Sequence, residues 1–285
     1  MVSDIKFKTS VLYRTVLFRQ DMKEFIEKSI ESLILNYEYI DNIILLKNDK
    51  INSWDFSKLY NVLKGKVNII EVVDETLTNY RSFELGVKTF VNLPDKPKLL
   101  SFLDADDAYL PGGLKMRIET KNVGVQLSRL ETIEYKHNND GWAEIGRTRS
   151  NYMPSFRQSA RYRNSAFSSG LIVTRRFIEN AVLKAFERLE SQMFDMIHED
   201  FLIWSLAQLL DNADFLVECT GIYRRFGFVR KEKYPQDADA REVICRENTM
   251  YALNEVLKEL GQKELIKDTI TGLLDVSYSG LKINF

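Results

Sequence analysis

Apolar and polar positions in the first half of the chain alternate between short apolar runs and stretches with helical spacing. Four runs have the length of strands and cover residues 10–17, 39–46, 66–73 and 99–103. Between them, apolar residues recur every three or four positions, as in residues 22–34 and 78–90. Asp21 and Glu24 have the spacing of a capping box at the start of the first helix. This alternation predicts a parallel sheet with helical crossovers.

The pattern changes after Gly124. Residues 125–135 and 142–149 predict a hairpin around a turn rich in Asn, Asp and Gly. Further segments follow, with strands predicted at 168–174 and 215–223 and helices at 176–193, 199–210, 240–258 and 264–274. We therefore expect a domain over residues 1–234, with halves 1–123 and 124–234, and a C-terminal helical extension over residues 235–285.

Composition excludes several classes of protein. The 285 residues are 45% hydrophobic and 28% charged, which is typical of a globular protein rather than a disordered or fibrous one. Two cysteines and two histidines predict neither a disulfide framework nor a zinc site. Apolar runs fall short of the roughly 18 residues that span a membrane, and the first residues lack the apolar stretch of a secretory signal. These features together predict a cytoplasmic protein.

Three acids follow the apolar run at residues 99–103. Asp104, Asp106 and Asp107 stand at its end, and Pro111-Gly112 prevents the run from continuing as a helix. Ligands of open α/β sheets bind at the carboxyl ends of the strands. Such carboxylates suit Mg²⁺ or Mn²⁺, although Asp is also common in turns and at helix starts. From these residues alone, a metal site and a simple turn are both open.

The order of three features resembles the family 2 glycosyltransferases of the GT-A fold. These are the opening strand with its helix, Asp-Ala-Asp-Asp at 104–107, and Glu-Asp-Phe-Leu-Ile-Trp at 199–204. The resemblance implies an α/β GT-A fold with a mostly parallel, Rossmann-like sheet flanked by helices. It also implies a metal-dependent inverting transfer of a sugar from a nucleotide diphosphate sugar, expected to be a UDP-sugar, to an acceptor hydroxyl.

The resemblance further implies roles for individual residues. Asp106 and Asp104 would hold Mn²⁺ or Mg²⁺, Asp200 would be the catalytic base, and Glu199 would be its partner. Contacts with the nucleotide sugar donor would come from Tyr13, Arg14, Thr15, Asp49, Arg81, Asp104 and Asp106. Two positions depart from the family pattern: a Pro is missing near Tyr13, and Phe226 stands near an expected His. Acids at residues 199 and 200 would also suit a helix start without catalysis.

Charge distribution bears on the acceptor. Residues 147–178 contain seven arginines and no Asp or Glu. Cations interleaved with aromatic side chains are typical of surfaces that bind phosphate backbones and stack bases. We assign acceptor binding to Arg147, Arg149, Tyr152, Phe156, Arg157, Arg161, Arg163, Arg224 and Arg225. The leading hypothesis is transfer to a hydroxymethylated base in DNA, as in viral DNA-glucosylating enzymes. The alternatives are synthesis of a surface glycan or lipid-linked saccharide, and a nucleic-acid-binding protein without activity.

Overall fold

The computed structural model of the chain describes residues 9–15, 20–47, 54–73, 79–139, 141–149, 167–189, 197–226, 238–261, 266–267 and 274–275. Its strands are β1 Thr9–Arg14, β2 Asn42–Lys47, β3 Asn68–Val73, β4 Leu99–Asp104, β5 Ala108–Tyr109, β6 Val125–Asn138, β7 Gly141–Arg149, β8 Leu171–Thr174, β9 Ala213–Phe226, β10 Ile266–Lys267 and β11 Leu274–Asp275. Its helices are α1 Lys23–Leu35, α2 Ser57–Leu63, α3 Asn79–Asn92, α4 Gly113–Thr120, α5 with segments Arg175–Phe177, Ile178–Val182 and Leu183–Glu187, α6 Glu199–Leu209 and α7 Ala238–Glu259. The middle segment of α5 is a π-helical turn.

The main sheet has the strand order β3-β2-β1-β4-β8-β6-β9-β5, with β7 paired to β6. Strands β1 to β4 are parallel to one another, and β6 is parallel to β9. Strands β5, β7 and β8 join this framework antiparallel to their neighbours. The predicted α/β class, with a sheet flanked by helices, is confirmed. The parallel order also brings the carboxyl ends of β1, β2 and β4 to one edge.

Both faces of β1, β2 and β4 are buried, whereas the edge strand β3 is partly exposed. On β1, Leu12 packs in one apolar cluster, whereas its neighbours Val11 and Tyr13 pack in a second cluster on the opposite face. Helices α3, α5, α6 and α7 contribute to the first cluster, and α1, α2 and α4 to the second. Burial on both faces explains why the strands are continuous apolar runs rather than alternating ones. The predicted domain boundary at residue 234 stays a prediction, although α7 packs in the same cluster as the sheet.

The β6–β9 ladder is irregular near its middle. Ser128 pairs with Leu216, whereas Leu130 pairs with Gly221. Strand β9 therefore advances from residue 216 to 221 while β6 advances from 128 to 130. Beyond this irregularity the two strands are again in regular register, up to the pair of Tyr135 with Phe226.

Three details of the predicted elements are wrong. Asp21 lies in a 3₁₀ turn, Gln20–Met22, and the N-cap of α1 is Met22, whose side chain makes no capping bond, so Asp21 does not take the N-cap position that the capping box requires. The first residues of the predicted strand 168–174 form a 3₁₀ turn instead. The predicted helix 264–274 is contradicted by the antiparallel pairing of β10 with β11. The intervening Thr-Ile-Thr-Gly at 269–272 consists of β-branched residues and glycine, which are poor helix formers.

Among the described residues, no helix is both long enough and apolar enough to span a membrane.

Candidate functional site

Arg14 links the two acidic segments that the sequence singles out. It is the last residue of β1, and its neighbour in the sheet is Asp104 at the end of β4. Its Nε donates to Asp104 Oδ1 at 2.7 Å and its Nη2 to Asp104 Oδ2 at 3.0 Å. Its Nη1 forms an ion pair with Glu199 Oε1 at the start of α6. One guanidinium therefore joins a strand end to a helix start, two segments that are far apart in sequence.

Two serines fix the backbone and the carboxylate of Asp104. Ser168 Oγ donates to Asp104 Oδ2 at 2.5 Å, and Asp104 N–H donates to Ser169 Oγ at 3.0 Å. Both serines are buried and lie in the 3₁₀ turn that precedes β8. The antiparallel pairing of β8 with β4 brings this turn to the carboxyl end of β4. Sequence reasoning missed these serines, although Ser-Ser-Gly before an apolar run is a turn signal.

The acidic loop after β4 is held by strand β9. Asp107 is buried, and its Oδ1 accepts the Arg224 N–H at 2.8 Å. Arg224 Nη1 donates to the carbonyl of Asp106 at 2.6 Å. Burial, and next the Asp104 carboxylate, raises the pKa of Asp106 to about 7. Burial and the neighbouring carboxylates of Asp106 and Asp104 also raise the pKa of Asp107. Burial and mutual repulsion therefore disfavour the charged forms of Asp106 and Asp107.

Asp200 lies beside Glu199 in the first turn of α6. Its Oδ1 accepts the N–H of Phe201 at 2.8 Å. Burial, and then the charge of Glu199, raises the pKa of Asp200 to about 7, against opposing effects of His198 and Arg14. A carboxyl group with such a pKa exchanges its proton near neutral pH, as a general base requires. Helix α6 is anchored by Trp204, which is fully buried.

The acids fit a divalent cation only together with further oxygen ligands. No three His, Cys, Asp or Glu side chains within the described ranges form a cluster that could enclose a metal. Both oxygens of Asp104 accept from Arg14, which leaves Asp106 as the better placed ligand. Mg²⁺ is commonly held by one or two carboxylates plus substrate phosphates, and Mn²⁺ also favours oxygen ligands. The donor set therefore suits an ion shared with a bound diphosphate.

The other predicted donor residues have structural contacts or lie outside the described part. Tyr13 is fully buried and packs edge-on against Phe56, with ring centroids 6.4 Å apart. Thr15 Oγ1 donates to the carbonyl of Leu46 at 2.5 Å, which ties β1 to β2. A donor contact through either side chain stays a prediction. Asp49 and the side chain of Arg81, which belongs to α3, lie outside the described residues.

The described arginines of the predicted acceptor surface pair with groups of the chain itself. Arg147 bonds Glu131 and Glu144, and Arg225 bonds Glu134. Arg224, a residue of β9, is buried against the acidic loop rather than exposed. The structure thus brings Arg224 to the acids but leaves Arg147 and Arg225 in ion pairs with acids of β6 and β7. The remaining predicted acceptor residues lie outside the described part: the side chain of Arg149, and Tyr152, Phe156, Arg157, Arg161 and Arg163.

Comparisons with known proteins were made by sequence and by structure. No protein-family model matches the chain, and no curated protein matches it. Among solved structures, the chain is similar to S. aureus TarS. A crystal structure of TarS residues 1–349 in complex with UDP is 14% identical, with a TM-score of 0.49, over 88% of this chain and 70% of that one. A second structure of TarS 1–349 is 15% identical over the same shares, with a TM-score of 0.49. A further TarS structure, 14% identical with a TM-score of 0.49, is matched over 43% of its length and 88% of this chain.

Proposed function

We propose that this chain is a glycosyltransferase that moves a sugar from a nucleotide diphosphate sugar, expected to be a UDP-sugar, to an acceptor hydroxyl with inversion at the anomeric carbon. The observation that carries the proposal is the Arg14 bridge between Asp104 and Glu199. It places a strand-end acidic loop and the acidic start of a helix at one site. These are the two segments on which the resemblance to the family 2 glycosyltransferases rests.

Asp200 is the general base in this proposal. Its carboxylate takes the proton of the acceptor hydroxyl as the hydroxyl oxygen forms a bond to the anomeric carbon. The bond from that carbon to the diphosphate breaks, and the nucleoside diphosphate leaves with the electron pair. A base with a pKa of about 7 is half deprotonated near neutral pH, where it is effective both as acceptor and as later proton donor.

Positive charge stabilises the departing diphosphate. Asp106, with Asp104 if Arg14 releases it, would hold Mg²⁺ or Mn²⁺ together with the phosphates. A bound divalent cation would offset the negative charge that develops as the diphosphate leaves. Arg14 pairs with Asp104 in the sheet register, and we propose that it also turns toward the diphosphate.

The test is transfer from a panel of radiolabelled nucleotide sugars by the parent, Asp106→Asn, Asp200→Asn and a control, Glu27→Gln, whose side chain is 55% exposed on α1. We expect Asp200→Asn to lose transfer but keep nucleotide-sugar binding, since the amide cannot take the proton. We expect Asp106→Asn to weaken binding that depends on Mn²⁺. Parental turnover by Asp200→Asn would remove this residue as the base, and absence of nucleotide-sugar binding by the parent would overturn the proposal.

The proposed acceptor is a hydroxymethylated base in DNA, and the proposed location is the cytoplasm. The acceptor proposal rests on the density of arginines in residues 147–178 and on the absence of Asp and Glu there, with Arg147 and Arg175 set aside because they bond groups of the chain itself. Binding to an oligonucleotide with 5-hydroxymethylcytosine should weaken steeply as salt rises. The same panel should include plain DNA and a lipid-linked saccharide. Transfer to the saccharide alone would favour synthesis of a surface glycan.

A further inference from the structure

Two aromatic residues that adjoin the acidic site in sequence, Phe167 and Tyr223, stack on each other and have no role in the chemistry above. The rings of Phe167 and Tyr223 have centroids 3.8 Å apart and an interplanar angle of 14°. Both side chains are half-buried, and neither belongs to the two buried apolar clusters. The pair therefore keeps contact with solvent instead of filling the core.

Chain connectivity brings the backbones of Phe167 and Tyr223 close to the acidic loop. Phe167 directly precedes Ser168, whose hydroxyl donates to Asp104. Tyr223 directly precedes Arg224, whose N–H donates to Asp107. Adjacent Cα atoms are about 3.8 Å apart, so each ring is attached one residue from a group that binds the acidic loop. Asp104 in turn shares Arg14 with Glu199, the neighbour of Asp200.

The geometry of the pair suits a planar ligand. Isolated aromatic pairs prefer offset or edge-on contacts, with centroids about 4.5–7 Å apart, so a close parallel pair is imposed by the elements that carry it. Phe167 is fixed by the turn before β8, and Tyr223 by the β6–β9 ladder, where it pairs with Thr132. A nucleobase is flat and extends such a stack, whereas a saturated sugar ring is puckered. Enzymes that modify bases stack the extruded base on aromatic side chains.

Resting on the proposed function, we propose that Phe167 and Tyr223 form the platform on which an extruded pyrimidine of the acceptor stacks, with its hydroxymethyl group presented to the acidic site. This assigns the acceptor base to described residues at the strand ends. It is independent of the arginine-rich segment, which would contact the phosphate backbone.

The experiment measures kcat/KM for transfer to a single-stranded oligonucleotide with one 5-hydroxymethylcytosine, using the UDP-sugar that the parent accepts best. Phe167→Leu and Tyr223→Leu remove one ring each, and Tyr223→Phe keeps the ring. Tyr251→Leu is the control, because Tyr251 is 42% exposed on α7. We expect Phe167→Leu and Tyr223→Leu each to lower kcat/KM about 5- to 150-fold, the factor expected for one base stack. Tyr223→Phe, which keeps the ring, should lose less than Tyr223→Leu, and Tyr251→Leu should stay within about twofold.

Donor hydrolysis without acceptor, and urea unfolding, are measured on the same proteins. Parental values in the leucine variants would show an intact donor site and an intact fold, which separates this proposal from the proposed function. Leucine variants with parental kcat/KM would overturn the platform. So would a parent that hydrolyses the donor but transfers to a lipid-linked saccharide and not to the oligonucleotide. A parent that binds no nucleotide sugar would instead overturn the proposed function.

Discussion

Replacing Arg14 by methionine tests the link between the two acidic segments most directly. The Arg14 and Glu199 side chains are each 12% exposed, and Asp104 is 21% exposed. Removing one partner of a buried ion pair leaves the other charge uncompensated and costs about 3–5 kcal/mol. Because Arg14 serves two carboxylates, we expect the free energy of unfolding to fall by an amount in the upper part of that range. Methionine keeps the apolar stem, so lost packing contributes little.

The measurement is urea unfolding of the parent, Arg14→Met, Glu199→Gln and the double variant, followed by tryptophan fluorescence. If the two side chains interact as the structure has them, the double variant loses about 0.5–3 kcal/mol less than the sum of the single losses. Glu199→Asp serves as a control that keeps the charge. Additivity within about 0.5 kcal/mol, or a loss below about 1 kcal/mol for Arg14→Met, would refute the reasoning.

Three other predictions follow from the same contacts. Since the pKa of Asp200 is raised to about 7, kcat/KM should rise about tenfold per pH unit below pH 7 and level off above it, which pH–rate profiles check. Folding favours the protonated form of this carboxyl group, so its contribution to stability should be present below its ordinary pKa of 3.8 and be lost as pH rises to about 7. Urea unfolding of the parent and of Asp200→Asn against pH checks this and separates Asp200 from Asp106, whose pKa is also raised to about 7. Gly113→Ala would place a Cβ 2.0 Å from the Thr220 carbonyl oxygen, so it should lower stability by about 1–3 kcal/mol or more in thermal unfolding, whereas Gly146→Ala, with no atom closer than 4.0 Å, should not. Arg175→Met removes bonds to three backbone carbonyls and should destabilise the fold by about 1–3 kcal/mol, while filter binding should find DNA affinity unchanged within about twofold.

Local signals in the sequence were sufficient for the parts of the site that lie within one element. The run at residues 99–103 is buried on both sides, so its apolar pattern predicts β4 and the acids at its end. Glu199 and Asp200 begin α6 as predicted because acids favour a helix N-terminus and the following residues are apolar. The strand order beyond β4 could not be read in this way, since it depends on pairings between distant segments.

Contacts between distant residues were the part that sequence could not supply. The resemblance implied that Arg14 contacts the nucleotide sugar donor, but in the structure its guanidinium lies between Asp104 and Glu199. Arg175 was counted among the cations of a basic surface, but it donates to carbonyls of α3 and the segment after it. Composition records how many cations a segment has. It does not record which of them are used inside the fold.

The irregular pairing of β6 with β9 makes the length of β9 matter more than its composition. The residues that β9 has in excess include Val217 and Glu218, whose side chains are exposed, so many residue types would fit there. Loss of one residue would shift every later pair or dissolve the irregularity. Because side chains alternate along a strand, a shift by one would turn Arg224 to the opposite face and away from the acidic loop. Leu216 pairs with Ser128 of β6 just before the irregularity. We therefore expect related chains to vary freely in sequence at this point of β9 while conserving the number of residues between Leu216 and Arg224.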